Sequence, residues 1–379
     1  MITHKETLMS NFHRNKFDLD TPCLVLDIDI LEHNLQKMQR TVTGAGKGLR
    51  PHAKTHKCST LAKKQIAAGA LGVCAAKVSE AEALVRAGVE GILITGPVAT
   101  PHKIERLLDL LAASPALMVV VDHPQSIDLL CDGLRARGLR MDVLLDLDAG
   151  LHRTGASLAA APDLARAILA RPELRLRGIQ AYAGQVQHIP VYEERQSSSL
   201  ACLREAAGFF RELQEMAPDC AIFSASGTGT FDIDLDIPEL SELQAGSYVC
   251  MDAEYLAVGS ASDPQRFSAF SPALRLLTTV VSASQPGFVT VDAGLKALYK
   301  DGGIPQILDR QSGLEYNWFG DEYGRISSRG SQKLPALGSV LELVTSHCDP
   351  TINLFERFHI TQGEQVIDTW PIDLRGCSQ

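Results

Sequence analysis

A short basic segment, Arg50-Pro-His-Ala-Lys-Thr-His-Lys57, contains a lysine that could bond covalently to a carbonyl compound. Alternate residues of a strand point to one face, so His52 and Lys54 share a face and His56 follows in the loop. Neighbouring cations disfavour the ammonium form of Lys54, which suits this lysine to a Schiff base. A solvated basic strand end is the alternative that the pattern leaves open.

Two glycine-containing segments are typical of phosphate-binding turns. Ser224-Ala-Ser-Gly-Thr-Gly229 follows a predicted strand, and Gln244-Ala-Gly-Ser-Tyr248 lies on the next one. Glycine lets backbone N–H groups approach an anion closely, and the hydroxyls of Ser226, Thr228 and Ser247 can add further donors. Either segment alone is most simply a turn, but the two together favour phosphate binding.

A third segment, Ser346-His-Cys-Asp-Pro350, contains a histidine and an aspartate two positions apart. If the segment is a strand, His347 and Asp349 lie on one side and Cys348 on the other. One imidazole and one carboxylate form half of a metal site, which water or substrate can complete. The alternative is a structural histidine followed by an Asp-Pro turn.

Residues at two further strand ends are less specific. Asp146, Asp148 and Arg153 surround the end of one predicted strand, and Tyr182 follows the next. An aromatic ring there could stack on a flat cofactor, whereas a packed core tyrosine is the commoner case. Because α/β-barrel enzymes act at the carboxyl ends of their strands, these positions are candidates for a site.

The elements that must position these residues are short strands alternating with amphipathic helices. Such alternation predicts a parallel sheet with helical crossovers, and apolar runs such as Met118-Val-Val-Val121 fit strands buried on both faces. Eight units closed into a (β/α)8 barrel fit best, with a doubly wound open sheet as the alternative. One of the nine candidate strands must then lie elsewhere; they are residues 23–28, 49–54, 73–78, 91–96, 117–122, 141–148, 176–183, 221–226 and 243–249.

The composition changes after about residue 260. Short β-rich runs are separated there by Gly, Pro, Asp and Ser, and no long helical period appears, which predicts a separate, mostly β domain. The predicted strands of this domain are residues 276–281, 287–292, 339–344, 357–360 and 365–370.

The overall composition excludes several classes of protein. The chain has 379 residues, 45% of them hydrophobic, as in a globular protein with a full-sized core. A formal charge of −9 argues against nucleic acid or an anionic membrane as a partner, and no apolar run is long enough to span a bilayer. Residues 1–17 lack the apolar core of a signal peptide, and the nine cysteines form no CxxC pair. We therefore expect a reduced, cytoplasmic protein.

Taken in order, these motifs resemble those of the D-threonine aldolase and D-serine dehydratase family, fold-type III pyridoxal-phosphate enzymes related to the alanine racemases. The resemblance extends from Asp20 to about Arg375. The segments that carry it are Arg50-Pro-His-Ala-Lys54, Lys77-Val-Ser-Glu-Ala81, Gly227-Thr-Gly229, Leu243-Gln-Ala-Gly-Ser-Tyr248, Met251-Asp-Ala-Glu-Tyr255, Val291-Asp-Ala-Gly-Leu-Lys296 and His347-Cys-Asp-Pro-Thr351.

The resemblance implies an α/β fold, with a (β/α)8 barrel of the TIM type, a C-terminal mostly β domain and a homodimer. Residues 29–255 would form the cofactor-binding barrel, and residues 256–379 the β domain with the metal pair. The strand at residues 23–28, in an N-terminal segment of residues 1–28, would join the β domain. That placement would account for the surplus strand.

The resemblance also implies a cofactor and its contacts. Lys54 would bind pyridoxal 5'-phosphate covalently, and Thr228, Gly246 and Ser247 would hold its phosphate. The other contacts that it implies are Arg153 and Tyr182 around the ring, and Tyr255 against the cofactor or substrate.

The implied reaction is cleavage of a β-hydroxy-D-amino acid of the D-threonine type to glycine and an aldehyde, with Lys54, His347 and Asp349 as the catalytic residues. His347 and Asp349 would bind a divalent metal beside the cofactor. Dehydratases of this family resemble one another in a His-x-Cys pair that suits zinc, whereas the aldolases carry His-x-Asp, as this chain does. Asp349 makes the site harder and favours manganese, magnesium or cobalt over zinc.

Other activities are alternatives. A 3-hydroxy-D-aspartate aldolase and a D-serine or 3-hydroxyaspartate dehydratase belong to the same family, and Val73-Cys-Ala-Ala-Lys77 departs from the usual aldolase pattern. A barrel metallohydrolase needs His-x-His at the first barrel strand, where this chain has His52-Ala-Lys54. A non-catalytic protein that handles pyridoxal phosphate would lack the C-terminal domain. We therefore expect a small amino-acid substrate and neither a nucleic-acid nor a membrane partner.

Overall fold

The computed structural model describes residues 14–308 and 313–379, so the expectations for residues 1–13 lie outside the described residues. The chain divides into two compact units, which we call the barrel unit and the β unit. The barrel unit consists of Gln36–Lys54, Leu61–Gly246 and Gly376–Gln379, and the β unit consists of the described parts of Met1–Leu35, Thr55–Thr60 and Ser247–Arg375. The domain boundaries expected at residues 28 and 255 stay a prediction.

The strands of the described residues are, in chain order, β1 (Cys23–Asp27), β2 (Gly48–Leu49), β3 (Cys74–Ala75), β4 (Leu93–Ile94), β5 (Met118–Val121), β6 (Met141–Leu147), β7 (Leu174–Ala181), β8 (Ile222–Ala225), β9 (Glu242–Leu243), β10 (Leu274–Ser282), β11 (Phe288–Val291), β12 (Gln306–Ile307), β13 (Leu314–Trp318), β14 (Gly324–Ser328), β15 (Val340–Val344), β16 (Arg357–Gln362) and β17 (Gln365–Pro371). The α-helices are α1 (Ile28–Gly44), α2 (Ser59–Ala67), α3 (Val78–Arg86), α4 (Pro101–Ala113), α5 (Pro124–Arg137), α6 (Ala161–Leu169), α7 (Tyr192–Met216), α8 (Phe231–Asp234), α9 (Ala253–Leu256) and α10 (Cys348–Ile352). Short 3-10 helices lie at Lys16–Asp18, Gly184–Val186, Thr228–Thr230 and Ser247–Val249.

The barrel unit is built on eight parallel strands in the order β2-β9-β8-β7-β6-β5-β4-β3. The sheet closes because residues after β2 bond to β3: Cys74 N donates to Pro51 O at 2.9 Å, and Ala53 N donates to Cys74 O at 2.8 Å. β5 is buried at every position, as expected of a parallel strand covered on both faces. The predicted (β/α)8 barrel is thus confirmed, and the doubly wound open sheet is excluded.

The β unit contains a second sheet in the order β13-β14-β11-β10-β1-β16-β17, with β15 paired to both β10 and β12. β1 runs antiparallel to β10 and parallel to β16, so Leu24 lies opposite both Leu276 and Phe358. The expectation that the first strand joins the β domain is therefore confirmed. Among the residues buried between the elements of this unit are Leu19, Cys23, Val25, Leu277 and Val366.

Several strands are shorter than the sequence predicts. The predicted strand 243–249 ends at Leu243, because the chain then turns into the 3-10 helix Ser247–Val249. The strands β12, β13 and β14 were not predicted. Alternation is weak there, since Glu315, Asn317 and Arg325 are all partly buried and do not separate an inner from an outer face. Among the described residues, no helix is both long and apolar enough to cross a membrane.

Candidate active site

Lys54 follows the first barrel strand and lies beside an aromatic ring. Its side chain is half-buried, and Lys54 Nζ lies 6.0 Å from the ring centroid of Tyr182. Arg153 Cζ lies 5.8 Å from the same centroid, so two cationic side chains lie near this ring. Three of the residues predicted for a cofactor site are thus brought together.

His52 fixes the backbone at Lys54. Lys54 N donates to His52 Nδ1 at 3.3 Å, and His52 Nε2 lies 3.0 Å from Thr95 Oγ1. Because Nδ1 accepts a hydrogen bond, the ring proton belongs on Nε2, which donates to Thr95, and Thr95 Oγ1 in turn donates to Ala75 O at 3.3 Å. The neutral imidazole therefore ties the turn at Lys54 to the neighbouring strands.

Asp146 is a buried carboxyl group at the end of β6. It accepts hydrogen bonds from Gln180 Nε2 at 2.8 Å and from Thr154 Oγ1 at 3.0 Å. Burial raises the pKa of Asp146 to about 6, and the charge of Asp122 adds to the increase, whereas the two hydrogen bonds and Arg153 act against it. This carboxyl group can therefore exchange a proton near neutral pH.

A chain of buried polar groups continues across the barrel from Gln180. Gln244 Nε2 donates to Gln180 Oε1 at 3.0 Å and to Ser224 Oγ at 2.9 Å, and Ser224 Oγ donates to Glu242 Oε1 at 2.8 Å. Arg50 closes the chain with two bonds to Glu242, at 2.9 and 3.0 Å. Neither Gln180 nor Glu242 is predicted as a site residue. The one signal that each gives in the sequence is a polar side chain at a strand position that should be buried.

The glycine-containing turn after β8 is packed so closely that its two glycines have no room for a side chain. Ser226 has a φ of +76°, and a 3-10 helix begins at Thr228, which is 1% exposed. A Cβ atom on Gly227 would lie 2.4 Å from Gln187 Oε1, and one on Gly229 would lie 2.0 Å from Gln187 O. Gly229 N donates to Gln187 Oε1 at 3.1 Å. The turn is therefore a close-packed loop that carries a hydroxyl group and is held by Gln187.

The second predicted phosphate segment follows the strand beside this turn. β8 pairs with β9, so the two segments leave adjacent strands, the seventh and eighth of the barrel. Gly246 ends the stretch that belongs to the barrel unit, and Ser247 begins the 3-10 helix of the β unit. These residues fit pyridoxal phosphate. A lysine can bond to its carbonyl group, an aromatic ring and an arginine can hold its ring, and turns with glycines and hydroxyl groups can hold its phosphate.

The β unit contains the predicted metal pair within an acidic cluster. His347 Nδ1 lies 3.3 Å from Asp301 Oδ2 and 3.9 Å from Glu254 Oε2. Burial alone would lower the pKa of His347, but the carboxylates of Asp349, Asp252 and Glu254 and the hydrogen bond to Asp301 raise it. An imidazole and several carboxylates form a donor set that favours a divalent cation.

The alternation that a strand would give this segment does not apply. His347 precedes α10, and Asp349 and Pro350 occupy its first turn. Alternation therefore does not decide which side chains point together. Cys348 is fully buried, and burial raises the pKa of its thiol well above the ordinary value. Across residues 14–308 and 313–379, no group of three or more His, Cys, Asp or Glu has the geometry to hold a metal ion.

Tyr255, predicted to contact cofactor or substrate, lies in α9 of the β unit. It is 6% exposed, and its ring centroid lies 6.4 Å from that of Phe267. Its backbone N donates to Asp252 Oδ1 at 3.0 Å, and Asp252 Oδ2 accepts from Cys348 N at 2.9 Å. Asp252 thus joins the start of α9 to the start of α10, and so places Tyr255 relative to the metal pair.

Comparison with known proteins identifies the family. Residues 26–254 match the alanine racemase N-terminal domain, and residues 273–361 match a serine dehydratase domain. A D-threonine aldolase of Arthrobacter sp is 39% identical over 95% of this chain and 94% of its own length. A 3-hydroxy-D-aspartate aldolase of Paracoccus denitrificans is 34% identical over 95% of this chain and 93% of its own length.

A solved structure shares the whole architecture. The crystal structure of a D-threonine aldolase from Filomicrobium marinum superposes with a TM-score of 0.91 at 35% identity, over 97% of this chain and 98% of that one. Both domains and their order therefore agree along nearly the full length. The chain belongs to the D-threonine aldolase and D-serine dehydratase family, whose barrel is the alanine racemase N-terminal domain.

Proposed function

We propose that this protein is a lyase that depends on pyridoxal phosphate and a divalent metal and cleaves β-hydroxy-D-amino acids of the D-threonine type to glycine and an aldehyde. The observation that carries the proposal is the placement of Lys54 beside Tyr182 and Arg153 at the strand ends of the barrel. It is supported by the 39% identity to a D-threonine aldolase over nearly the whole chain.

Each predicted cofactor residue has a role in this proposal. Lys54 would hold the cofactor through a covalent bond to its amine, and the Tyr182 ring and the Arg153 guanidinium would orient the cofactor ring against it. Thr228, Gly246 and Ser247 would bind the phosphate through hydroxyl and backbone N–H donors. Tyr255 would contact the cofactor or the substrate.

When bound, pyridoxal phosphate supplies an electron sink for the electron pair that the broken Cα–Cβ bond leaves on Cα. The residues of the chain must remove the proton of the β-hydroxyl oxygen, which becomes the aldehyde oxygen, and return a proton to Cα, which yields glycine. The half-buried position of Lys54 limits the access of water to its amine.

His347 and Asp349 would hold the divalent metal, which would supply Lewis-acid chemistry that makes the β-hydroxyl more acidic. The histidine and aspartate pair favours manganese, magnesium or cobalt over zinc, because carboxylate oxygen is a harder ligand than thiolate. The acidic neighbours of His347 support this assignment, since they add negative charge where a cation would bind.

A second candidate function is cleavage of 3-hydroxy-D-aspartate, favoured by the 34% identity to an aldolase of that name. Dehydration of D-serine or 3-hydroxyaspartate is the third, and Asp349 in place of cysteine argues against it. We also propose that the protein is a homodimer, as the family resemblance implies. We further propose that it is cytoplasmic, and the support for this location is its nine free cysteines.

The test of the proposal is a panel of β-hydroxy-amino acids given to protein loaded with pyridoxal phosphate and manganese. The rate of aldehyde release from D-threonine, D-phenylserine and 3-hydroxy-D-aspartate should exceed that from L-threonine by a large factor, because one exposed face of the cofactor fixes the Cα configuration. Equal rates for the D and L compounds, or no aldehyde from any of them, would overturn the proposal.

A further inference from the structure

Arg195, in the first turn of α7, is a fully buried arginine that the proposed reaction does not use. Its Nε donates to Gly229 O at 2.8 Å, and its Nη1 donates to Ile189 O at 2.6 Å. A buried guanidinium is costly unless its donors are satisfied, and these two carbonyls accept from it. One of them lies in the turn proposed to bind phosphate.

The N–H group of the same residue, Gly229, is held by another buried side chain. Gln187 Oε1 accepts from Gly229 N at 3.1 Å, and Gln187 Nε2 donates to Thr230 Oγ1 at 3.1 Å and to Ala183 O at 3.2 Å. Both the N–H and the C=O of Gly229 are therefore fixed by side chains. A Cβ atom on Gly229 would collide with Gln187 O, so the turn has no room for a side chain at this position.

The charge of Arg195 is balanced nearby, so its effect on the turn is mainly geometric. The guanidinium lowers the pKa of Asp232 against the effect of burial, and Arg195 Cζ lies 5.4 Å from the ring centroid of Tyr192. Asp234, behind the turn, accepts from Ser199 Oγ at 2.6 Å. The effect of Arg195 on phosphate binding therefore does not depend on a long-range attraction between its charge and the phosphate.

We propose that Arg195 is a positioning residue that sets the affinity of the protein for the phosphate group of its cofactor. The inference rests on the proposed function, because it takes the turn at Thr228 as the phosphate site. Backbone donors bind an anion tightly only when their geometry is fixed beforehand, since otherwise the ordering of the loop reduces the affinity. Arg195 and Gln187 supply that fixed geometry.

The experiment compares two ligands that differ only in the phosphate. Cofactor-free wild type, Arg195→Met and Arg195→Lys are titrated with pyridoxal phosphate and with pyridoxal, and binding is followed by the absorbance of the bound ligand. Arg204→Met is the control, because Arg204 is exposed on the same helix. Arg195→Met should raise the Kd for pyridoxal phosphate by about tenfold or more, since it removes charge-assisted hydrogen bonds. The Kd for pyridoxal should change by less than about twofold, and Arg204→Met should match wild type with both ligands.

The outcomes separate this inference from the proposed function. An unchanged Kd of Arg195→Met for pyridoxal phosphate, or an equal loss with pyridoxal, overturns the positioning role. Binding of neither ligand by wild type would instead reject the cofactor site itself. If Arg195→Met does not fold, Arg195→Lys makes the same comparison, because lysine keeps the charge but cannot donate as a planar fork. Its loss should be smaller and again confined to pyridoxal phosphate.

Discussion

At the scale of single residues, Lys54 differs from Lys57 in its surroundings. Lys54 is half-buried beside an aromatic ring, whereas Lys57 is 9% exposed and has a φ of +47°. We expect borohydride reduction of the loaded protein to trap pyridoxal phosphate on the peptide that contains Lys54, and Lys54→Ala to lose the yellow colour. Lys57→Arg is the matched control and should stay yellow. Mass spectrometry that finds the cofactor on Lys57 would contradict the assignment.

The proposed role of Asp349 as a metal ligand predicts how a substitution there changes manganese binding. Replacing one carboxylate ligand with alanine should weaken manganese binding by about tenfold or more, measured by electron paramagnetic resonance, and leave the absorbance of the bound cofactor unchanged. Cys348→Ser changes the adjacent buried residue and should bind manganese as wild type does. Manganese binding by Asp349→Ala at wild-type affinity would exclude Asp349 as a ligand.

Asp146 should make stability depend on pH. Its pKa is about 6 in the folded protein, above the ordinary value of 3.8, so the folded state binds more protons than the unfolded state between these values. Stability should therefore fall as the pH rises from about 4 to 6, at a total cost of about 1–3 kcal/mol. Asp146→Asn should lack this loss in thermal denaturation measured at several pH values. Asp163→Asn, at an exposed position, serves as the control and should follow wild type; a parallel pH profile for Asp146→Asn would refute the assignment.

At the scale of elements, apolar runs predict a buried strand better than they predict where it ends. β5 and β6 agree with their predictions to within a residue at each end, because apolar side chains fill every buried position except that of Asp146. Strand alternation does not apply to the segment at His347, because Asp349 and Pro350 lie in the first turn of a helix, where both residue types are typical. Polar residues at a site follow the requirements of chemistry, so they weaken the periodic signal of the element that holds them.

Gly178 lies in β7, an element that positions the site, and a substitution there tests how closely this strand is packed. It lies beside a register shift with β6, it has a φ of +147°, and a Cβ atom there would lie 1.8 Å from Ile222 O. Gly178→Ala should destabilise the protein by roughly 2–5 kcal/mol in urea denaturation, through backbone strain and overpacking. Gly44→Ala, at the end of α1 with no atom within 4 Å of its Cβ, should be neutral or slightly stabilising. A Gly178→Ala variant as stable as wild type would show that the backbone can move there.

At the scale of the whole molecule, the sequence was sufficient for the fold class and for the membership of β1 in the second sheet. Much of that success came from family motifs, because periodicity alone left an open sheet possible. The buried chain from Asp146 through Gln244 to Arg50 could not be predicted, since a polar residue on a strand does not reveal which neighbouring strand supplies its partner. The same holds for Arg195, which donates to the backbone carbonyls of Gly229 and Ile189, because a backbone acceptor has no sequence signal.

The central claim is that this protein breaks the Cα–Cβ bond of its substrate. The most direct measurement is to incubate the protein, loaded with pyridoxal phosphate and manganese, with D-threonine and to identify every product. We predict glycine and acetaldehyde in equal amounts. This prediction rests on the pair of His347 and Asp349 and on the sequence identity to two aldolases. Production of 2-oxobutanoate and ammonia as the main products would contradict the claim and assign the protein to the dehydratases.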